Sequence, residues 1–310
     1  MANTLEYAKL FQTNLDKLAV QTLKTGFMDG NAGQVKYSGG NEIKVPTLTM
    51  QGLGNYSRSG GYVEGDINLA YQTLTMTQDR GRSFTLDAMD VDETNFVATA
   101  GNAMGEFQRT KVVPEIDAYR ISKLATAAMG VSGDTQAEYG YTVASATIIS
   151  KMKAAIRAIR EAGFDGEIDI LATYEAVGAV EEAALGKLSA MTFSQGGINT
   201  QVPQIDGCPI IAVPSNRMYS AITIYDGSTP GQEDGGYVKG TSALSVNFLA
   251  VARTVPIAVT KQDVMRIFTP ETYQKANAWH MDYRRYHDIW VLDNKKKALF
   301  VNVKESKPSA

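Results

Sequence analysis

The 310-residue chain contains one cysteine, Cys208, and two histidines, His280 and His287. A lone cysteine excludes an internal disulfide and any cysteine-rich zinc site. Beside Pro209 and an apolar run, Cys208 reads as a small hydrophobe. Neither sign of charge dominates: 30 basic and 33 acidic side chains leave a net charge of -3. The basic excess of a dedicated nucleic-acid binder is missing, so any contact with DNA is expected to be weak and non-specific. No apolar run reaches the roughly 18 residues of a membrane span, and MANTLEYAKLFQ lacks the basic-then-apolar order of a secretory signal. The expectation is a soluble protein made and kept in a cytoplasm, in which the sequon at Asn55 arises by chance.

Motifs for phosphate binding and nucleophilic attack are also missing. The pair Gly186-Lys187 is followed by leucine and has no upstream glycine of a P-loop. GLGNYSRSGG breaks the dinucleotide-loop spacing at Ser57 and opens no helix. GTSAL, around Ser242, lacks the second glycine of a nucleophile elbow. The acidic run DAMDVDE (87–93) lacks the glycine and ligand order of a calcium loop. It lies before a helix, where carboxylates cap free amides. No catalytic residue, cofactor site or metal site is therefore assigned.

With 44% hydrophobic and 20% charged residues, the chain can bury a core and form two lobes. Leu5, Ala8, Phe11, Leu15 and Leu18 recur at helical spacing, predicting an amphipathic helix over 3–24. A strand follows around Ile43 to Met50. Residues 51–65, QGLGNYSRSGGYVEG, hold five glycines and read as a mobile loop. INLAYQTLTM and RSFTLDAM flank the polar turn TQDRG and predict a hairpin. Residues 41–88 thus form a long arm that needs another surface for stability, since a lone hairpin is marginal in water.

From Thr94 to about Ala128, Phe96, Ala100, Ala103, Phe107, Ile116, Tyr119, Leu124 and Ala127 predict a helix of about 50 Å. Pro114 should kink or split it. After the loop 130–141 the pattern becomes mixed α/β: helix 145–162 stopped by Gly163, strand 168–173, helix 174–188, strands 209–214 and 220–226, glycine-rich loop 227–240, and strand 244–252. The C-terminal part reads strand, loop, long strand, DNKK turn and strand, ending in the polar tail KESKPSA.

Both histidines fall in HMDYRRYHD (280–288). Seven residues apart on a strand they lie on opposite faces, so they cannot share a metal ion. The expectation is two strand histidines amid cross-strand ion pairs.

The order of these segments, with FQRTKVVPEIDAYRISKL in the long helix and the closing RIFTPETYQKANAWHMDYRRYHDIWVLDNKKKALFVNV, resembles the major capsid proteins of tailed bacteriophages with the Hong Kong 97 type fold. The resemblance covers essentially the whole chain. Its most specific parts are VVPEIDAYR and the tyrosine- and arginine-rich strand with its VLDNKK turn. It implies an α+β architecture. The N-arm would be 1–40, the extended β-hairpin loop 41–88, and the peripheral domain with its spine helix 89–130 and 263–305. The α/β axial domain would be 131–262, with 227–240 near the symmetry axes, and the tail 306–310.

By the same resemblance, the chain builds hexamers and pentamers of an icosahedral head around double-stranded DNA, assembled in the bacterial host cytoplasm. Portal and decoration proteins are implied partners; no membrane is. The N-arm is too short to include a long scaffolding segment, so a separate scaffold protein is expected, and the start at Met1 gives no sign of maturation cleavage. Some relatives cross-link through a lysine of the extended loop; Val45 to Thr110 contains no lysine, so no such chain-mail is expected. Candidate intersubunit contacts are Arg58, Glu64, Asp66, Arg80, Arg82, Arg109, Arg120, Arg284, Arg285 and Asp288. Lys295 to Lys297 read as a solvated turn. Two other readings are an encapsulin-like compartment around a cargo enzyme, and a soluble α/β hydrolase using His287 or the 87–93 carboxylates.

Overall fold

A computed structural model describes residues 23–34, 42–89, 100–184, 190–195 and 198–308. Almost all of the expected 3–24 helix, Asp90 to Glu93 of the acidic run and 94–99 of the long helix lie outside these residues. Asp87, within them, accepts the Met89 N–H at 2.8 Å, a local side-chain turn, while the helix start that the run was expected to cap lies outside the described residues.

Strands are β1 (Glu42–Met50), β2 (Ile67–Thr75), β3 (Gln78–Asp87), β4 (Ala137–Glu138), β5 (Ile168–Thr173), β6 (Ala190–Gln195), β7 (Ile198–Ile205), β8 (Cys208–Val213), β9 (Ile222–Ile224), β10 (Tyr237–Lys239), β11 (Val246–Ala252), β12 (Ile257–Phe268), β13 (Ala278–Trp290) and β14 (Leu299–Val303). Among the described residues the α-helices are α1 (Ala100–Phe107), α2 (Val113–Met129), α3 (Ser145–Glu161) and α4 (Tyr174–Ala184).

One lobe is a seven-stranded sheet in the order β4-β14-β11-β5-β8-β7-β6. Its central strands, IDILAT and VNFLAVA, are buried along their whole length, as continuous apolar runs should be when both faces are covered. Ile148, Met152, Ile156 and Ile159 of α3, Val177 and Val180 of α4, and Ile121, Leu124 and Ala128 of α2 join them in one core. Cys208 lies in that core, 1% exposed, and burial raises its thiol pKa. Gly163, at φ +92°, ends α3 where expected. LFVNV, expected in the peripheral part, instead forms β14 between β11 and β4. All five of its residues are buried, and only this sheet can cover both faces of such a run.

The other lobe is the three-stranded antiparallel sheet β12-β13-β3 with α1 and α2 against it. Residues 78–87 therefore do not pair with 67–75, which corrects the expected hairpin: β2 pairs back with β1 across the glycine-rich loop, and β3 pairs with β13. β3 aligns Phe84 and Leu86 with the Met281 and Tyr283 cluster, so burial on this sheet outweighs the short polar turn.

The long helix is interrupted but not broken. A π-helical turn, Gln108–Val112, joins α1 to α2, and its flanking residues Phe107 and Val113 keep right-handed helical dihedrals. Pro114 sits in the first turn of α2. It has no N–H to give and would crowd the carbonyl four residues back; a wider turn removes both conflicts. The extra width also rotates the apolar face, so Met104 is buried where the spacing pointed to Ala103, which is exposed.

Gly81 of β3 lies against β13, where an added Cβ would stand 2.9 Å from the Tyr283 carbonyl oxygen. Gly81→Ala should gain about 0.4–1 kcal/mol from a stiffer unfolded chain but lose about 1–3 kcal/mol to backbone overpacking. The net expectation is a lower urea midpoint with unchanged m-value; an equal or higher midpoint would show that β3 can shift freely.

Candidate assembly surfaces

The β1–β2 ribbon has two apolar faces, used in different places. At its base Ile43, Val45 and Leu74 are buried against Ile257, Val259 and Leu292. Register places Pro46 opposite Tyr71, Leu48 opposite Leu69 and Met50 opposite Ile67. Because side chains alternate along a strand and directly paired residues share a face, these six form one stripe, on the face opposite to Ile43 and Val45. Leu48 is 53% exposed, Met50 67%, Ile67 70%, Leu69 52% and Tyr71 61%. Beyond the stripe, Leu53, Tyr56, Tyr62 and Val63 are also exposed; the Tyr56 and Tyr62 rings lie 5.0 Å apart. Contiguous apolar surface of this kind marks an interaction site in a soluble protein.

The charged residues singled out in the sequence have different fates. Arg58, Glu64 and Asp66 are exposed on the ribbon loop. Arg284 forms a two-pronged pair with Asp79, at 2.9 and 2.6 Å, on the outer face of the sheet; that bond holds the Asp79 carboxyl below its ordinary pKa. Arg109 pairs with Glu106 one turn earlier, both exposed. Arg285 is bound by Asp263 at 2.7 Å. Arg80 grips Glu115 of α2 at 2.7 and 3.2 Å and donates to the Tyr225 carbonyl at 2.9 Å. Arg82 donates to the Glu233 carbonyl at 2.9 Å. These two arginines tie the 225–236 loop to β3. That loop, which overlaps the 227–240 segment, is held against β3; the edge strands of the seven-stranded sheet are β4 and β6.

Two of the ten expected contact residues are interior. Arg120 is fully buried, donating to Asp29 at 2.5 and 3.2 Å and to the Thr25 carbonyl at 3.0 Å. Asp288, 2% exposed, accepts the Thr77 N–H and hydroxyl at 2.8 and 2.9 Å and the Tyr119 hydroxyl at 2.8 Å. Both are occupied inside the chain and cannot reach a neighbour, which removes them from the contact set. Sequence reasoning missed Asp117, also fully buried. It receives the Lys24 and Thr25 N–H groups, the Thr25 hydroxyl and Arg217. Asp117 and Arg120 share one flank of α2 at a three-residue spacing, and that spacing was the one available signal.

The histidines fall on opposite faces of β13, as alternation requires. His280 contacts the Thr85 hydroxyl at 3.0 Å, Asp282 at 3.0 Å and the Tyr273 ring, stacked at 4.5 Å. His287 is a strand histidine as expected, and it is buried: it is 5% exposed and meets the Tyr119 ring edge-on at 5.9 Å. Among the described residues no group of three or more His, Cys, Asp or Glu could hold a metal ion, and no helix is long and apolar enough to cross a membrane.

The architecture is an α+β fold: long ribbon, interrupted long helix with its sheet, and α/β lobe. No protein-family model and no curated protein matches the sequence. Among solved structures, the capsid of Cyanophage P-SCSP1u aligns with TM-score 0.61 at 11% identity, over 86% of this chain and 84% of that one. The mature capsid of bacteriophage PhiM1 aligns with TM-score 0.56 at 9% identity, over 86% and 82%. A virus-like particle from Pyrococcus furiosus aligns with TM-score 0.50 at 10% identity, over 96% and 99%. The chain thus has the Hong Kong 97 type fold of tailed-phage major capsid proteins.

Proposed function

We propose that this chain is the major capsid protein of a tailed bacteriophage, a non-enzymatic subunit that packs as hexamers and pentamers into an icosahedral head around double-stranded DNA. The observation that carries the reading is the exposed Leu48–Leu69 stripe on a ribbon extending from a chain of this fold. The partner is a second copy of this chain: a stripe seated on a different patch of its neighbour makes a heterologous contact, which forms a ring where the rotation closes. The base of the ribbon is buried on its other face, so the neighbour approaches from the side away from the ribbon's own sheet.

On this reading the ribbon, 42–75, is the extended loop. Arg58, Glu64, Asp66, Arg109 and Arg284 are the exposed charges that meet neighbours, with Arg80, Arg82 and Arg285 supporting the surface from behind. The β6–β7 edge faces the symmetry axes, and a separate scaffold, a portal and decoration proteins complete the particle. The virus-like particle with the same fold makes the contents a necessary part of the test. Electron microscopy of particles recovered from cells should show closed icosahedral shells holding double-stranded DNA. A co-purifying enzyme inside the shells would assign a compartment instead, and a chain that stays monomeric with and without scaffold would overturn the shell reading.

A further inference from the structure

His287 lies where three parts of the chain meet. Its register partners are Thr260 on β12 and Gln78 on β3; α2 covers it with Tyr119. Next to it, Asp288 joins Tyr119 of α2 to Thr77, two residues past the end of the ribbon. The charged groups around the imidazole are Arg285 on its own strand, Arg80 on β3, and Arg120 and Glu115 on α2. Asp263 on β12 and Asp29 from the 26–34 turn reach the same cluster through their arginines. Lys111, Asp226 and Asp234 line the cleft onto which His287 opens, and Lys123 lies 5.4 Å from the centre of the Tyr119 ring.

Of these carboxylates, all but Asp234 at the cleft rim are already engaged. Glu115 holds Arg80 at 2.7 Å, Asp29 holds Arg120 at 2.5 Å and Asp263 holds Arg285 at 2.7 Å. Asp288 accepts from Thr77, Tyr119 and the Ile289 N–H, and Asp226 is turned onto Ser228 and Thr229. The buried His287 Nδ1 has no hydrogen-bond partner. An imidazolium needs acceptors at both nitrogens, and here one would be buried without an acceptor beside three arginines.

We propose that His287 is an acid-sensitive latch: neutral, it lets α2 lie on the sheet, and protonated, it loosens the Tyr119–Asp288–Thr77 junction that fixes the base of the ribbon. Burial, followed by Arg285, Arg120 and Arg80, depresses its pKa well below the ordinary imidazole value. The unfolded chain takes up this proton near pH 6.5, whereas the folded chain does so only at lower pH. The contribution is therefore complete above about pH 6.5 and declines as pH falls below it, until the folded imidazole itself protonates. The latch concerns the chain's own fold and holds whether or not the shell reading does.

The test compares wild type with His287→Gln, which carries no titratable ring. Wild type should lose about fivefold in its folding equilibrium constant between pH 6.5 and 5.5, approaching about tenfold per further pH unit while the folded imidazole stays neutral, beyond any loss in the variant. Tryptophan fluorescence, to which Trp290 at the ribbon base contributes, should change in wild type only, at the lower pH at which the folded imidazole protonates. Parallel pH profiles for the two proteins would overturn the proposal. If the variant does not fold, hydrogen exchange at the imidazole C2 position of wild type decides: titration of His287 well below 6.5 supports the latch, and titration at or above 6.5 refutes it.

Discussion

Leu48→Asp combined with Leu69→Asp is expected to abolish assembly and leave a folded subunit. The two leucines face each other across the ribbon and are 53% and 52% exposed, so the isolated chain loses little by their replacement. In an assembled contact each buried leucine is worth about 1.5–3 kcal/mol, and a carboxylate forced into the same interface adds a desolvation cost. A loss of about 4 kcal/mol at one contact is already close to a thousandfold in affinity, and the contact recurs with every subunit of a shell. Thr49→Asp with Asn68→Asp, a register pair on the opposite ribbon face, is the matched control and should still assemble. Sedimentation and circular dichroism together read the result. Wild-type particles from the leucine variant, or equal failure of the control, would show that this stripe is not the seam.

Asp117→Ala is expected to give the largest loss of subunit stability, about 3–5 kcal/mol. The carboxylate is fully buried and meets four donors: the Lys24 N–H at 3.1 Å, the Thr25 N–H at 3.0 Å, the Thr25 hydroxyl at 2.7 Å and Arg217 at 2.9 Å. Removing one partner of a buried ion pair leaves the other charge uncompensated, and that penalty sets the magnitude. Arg120 and Asp29 clamp the other side of the same segment, so the variant should also become more susceptible to trypsin after Lys24. Denaturant unfolding measures the first effect and timed proteolysis the second. An unfolding free energy within about 1 kcal/mol of wild type would mean that solvent or rearrangement satisfies these donors.

Much of the secondary structure was legible from local patterns. Ile148, Met152, Ile156 and Ile159 announced α3 by their spacing, Gly163 announced its end, and the unbroken IDILAT and VNFLAVA runs announced strands covered on both faces. Alternation alone separated His280 from His287 and removed the shared-metal reading. Charge burial was far less legible. DAYRIS does not reveal that Asp117 and Arg120 are interior while Arg109 of the same helical rod is exposed, because the deciding partners, Thr25, Asp29 and Arg217, come from remote parts of the chain. The wide turn at Gln108–Val112 was signalled by Pro114 only as a conflict. Its resolution, a rotated face that buries Met104, depended on how both halves pack against the sheet.

By itself the sequence determined which segments must be buried, through period-2 and helical repeats that record local geometry directly. The tertiary structure decided which strands pair. A backbone edge carries the same donors and acceptors whatever its side chains, so INLAYQTLT could have paired with either neighbour; burial of Phe84 and Leu86 assigned RSFTLD to β13. That choice sends β2 back onto β1, buries one face of the ribbon at its base and leaves the opposite face, with Leu48 and Leu69, exposed.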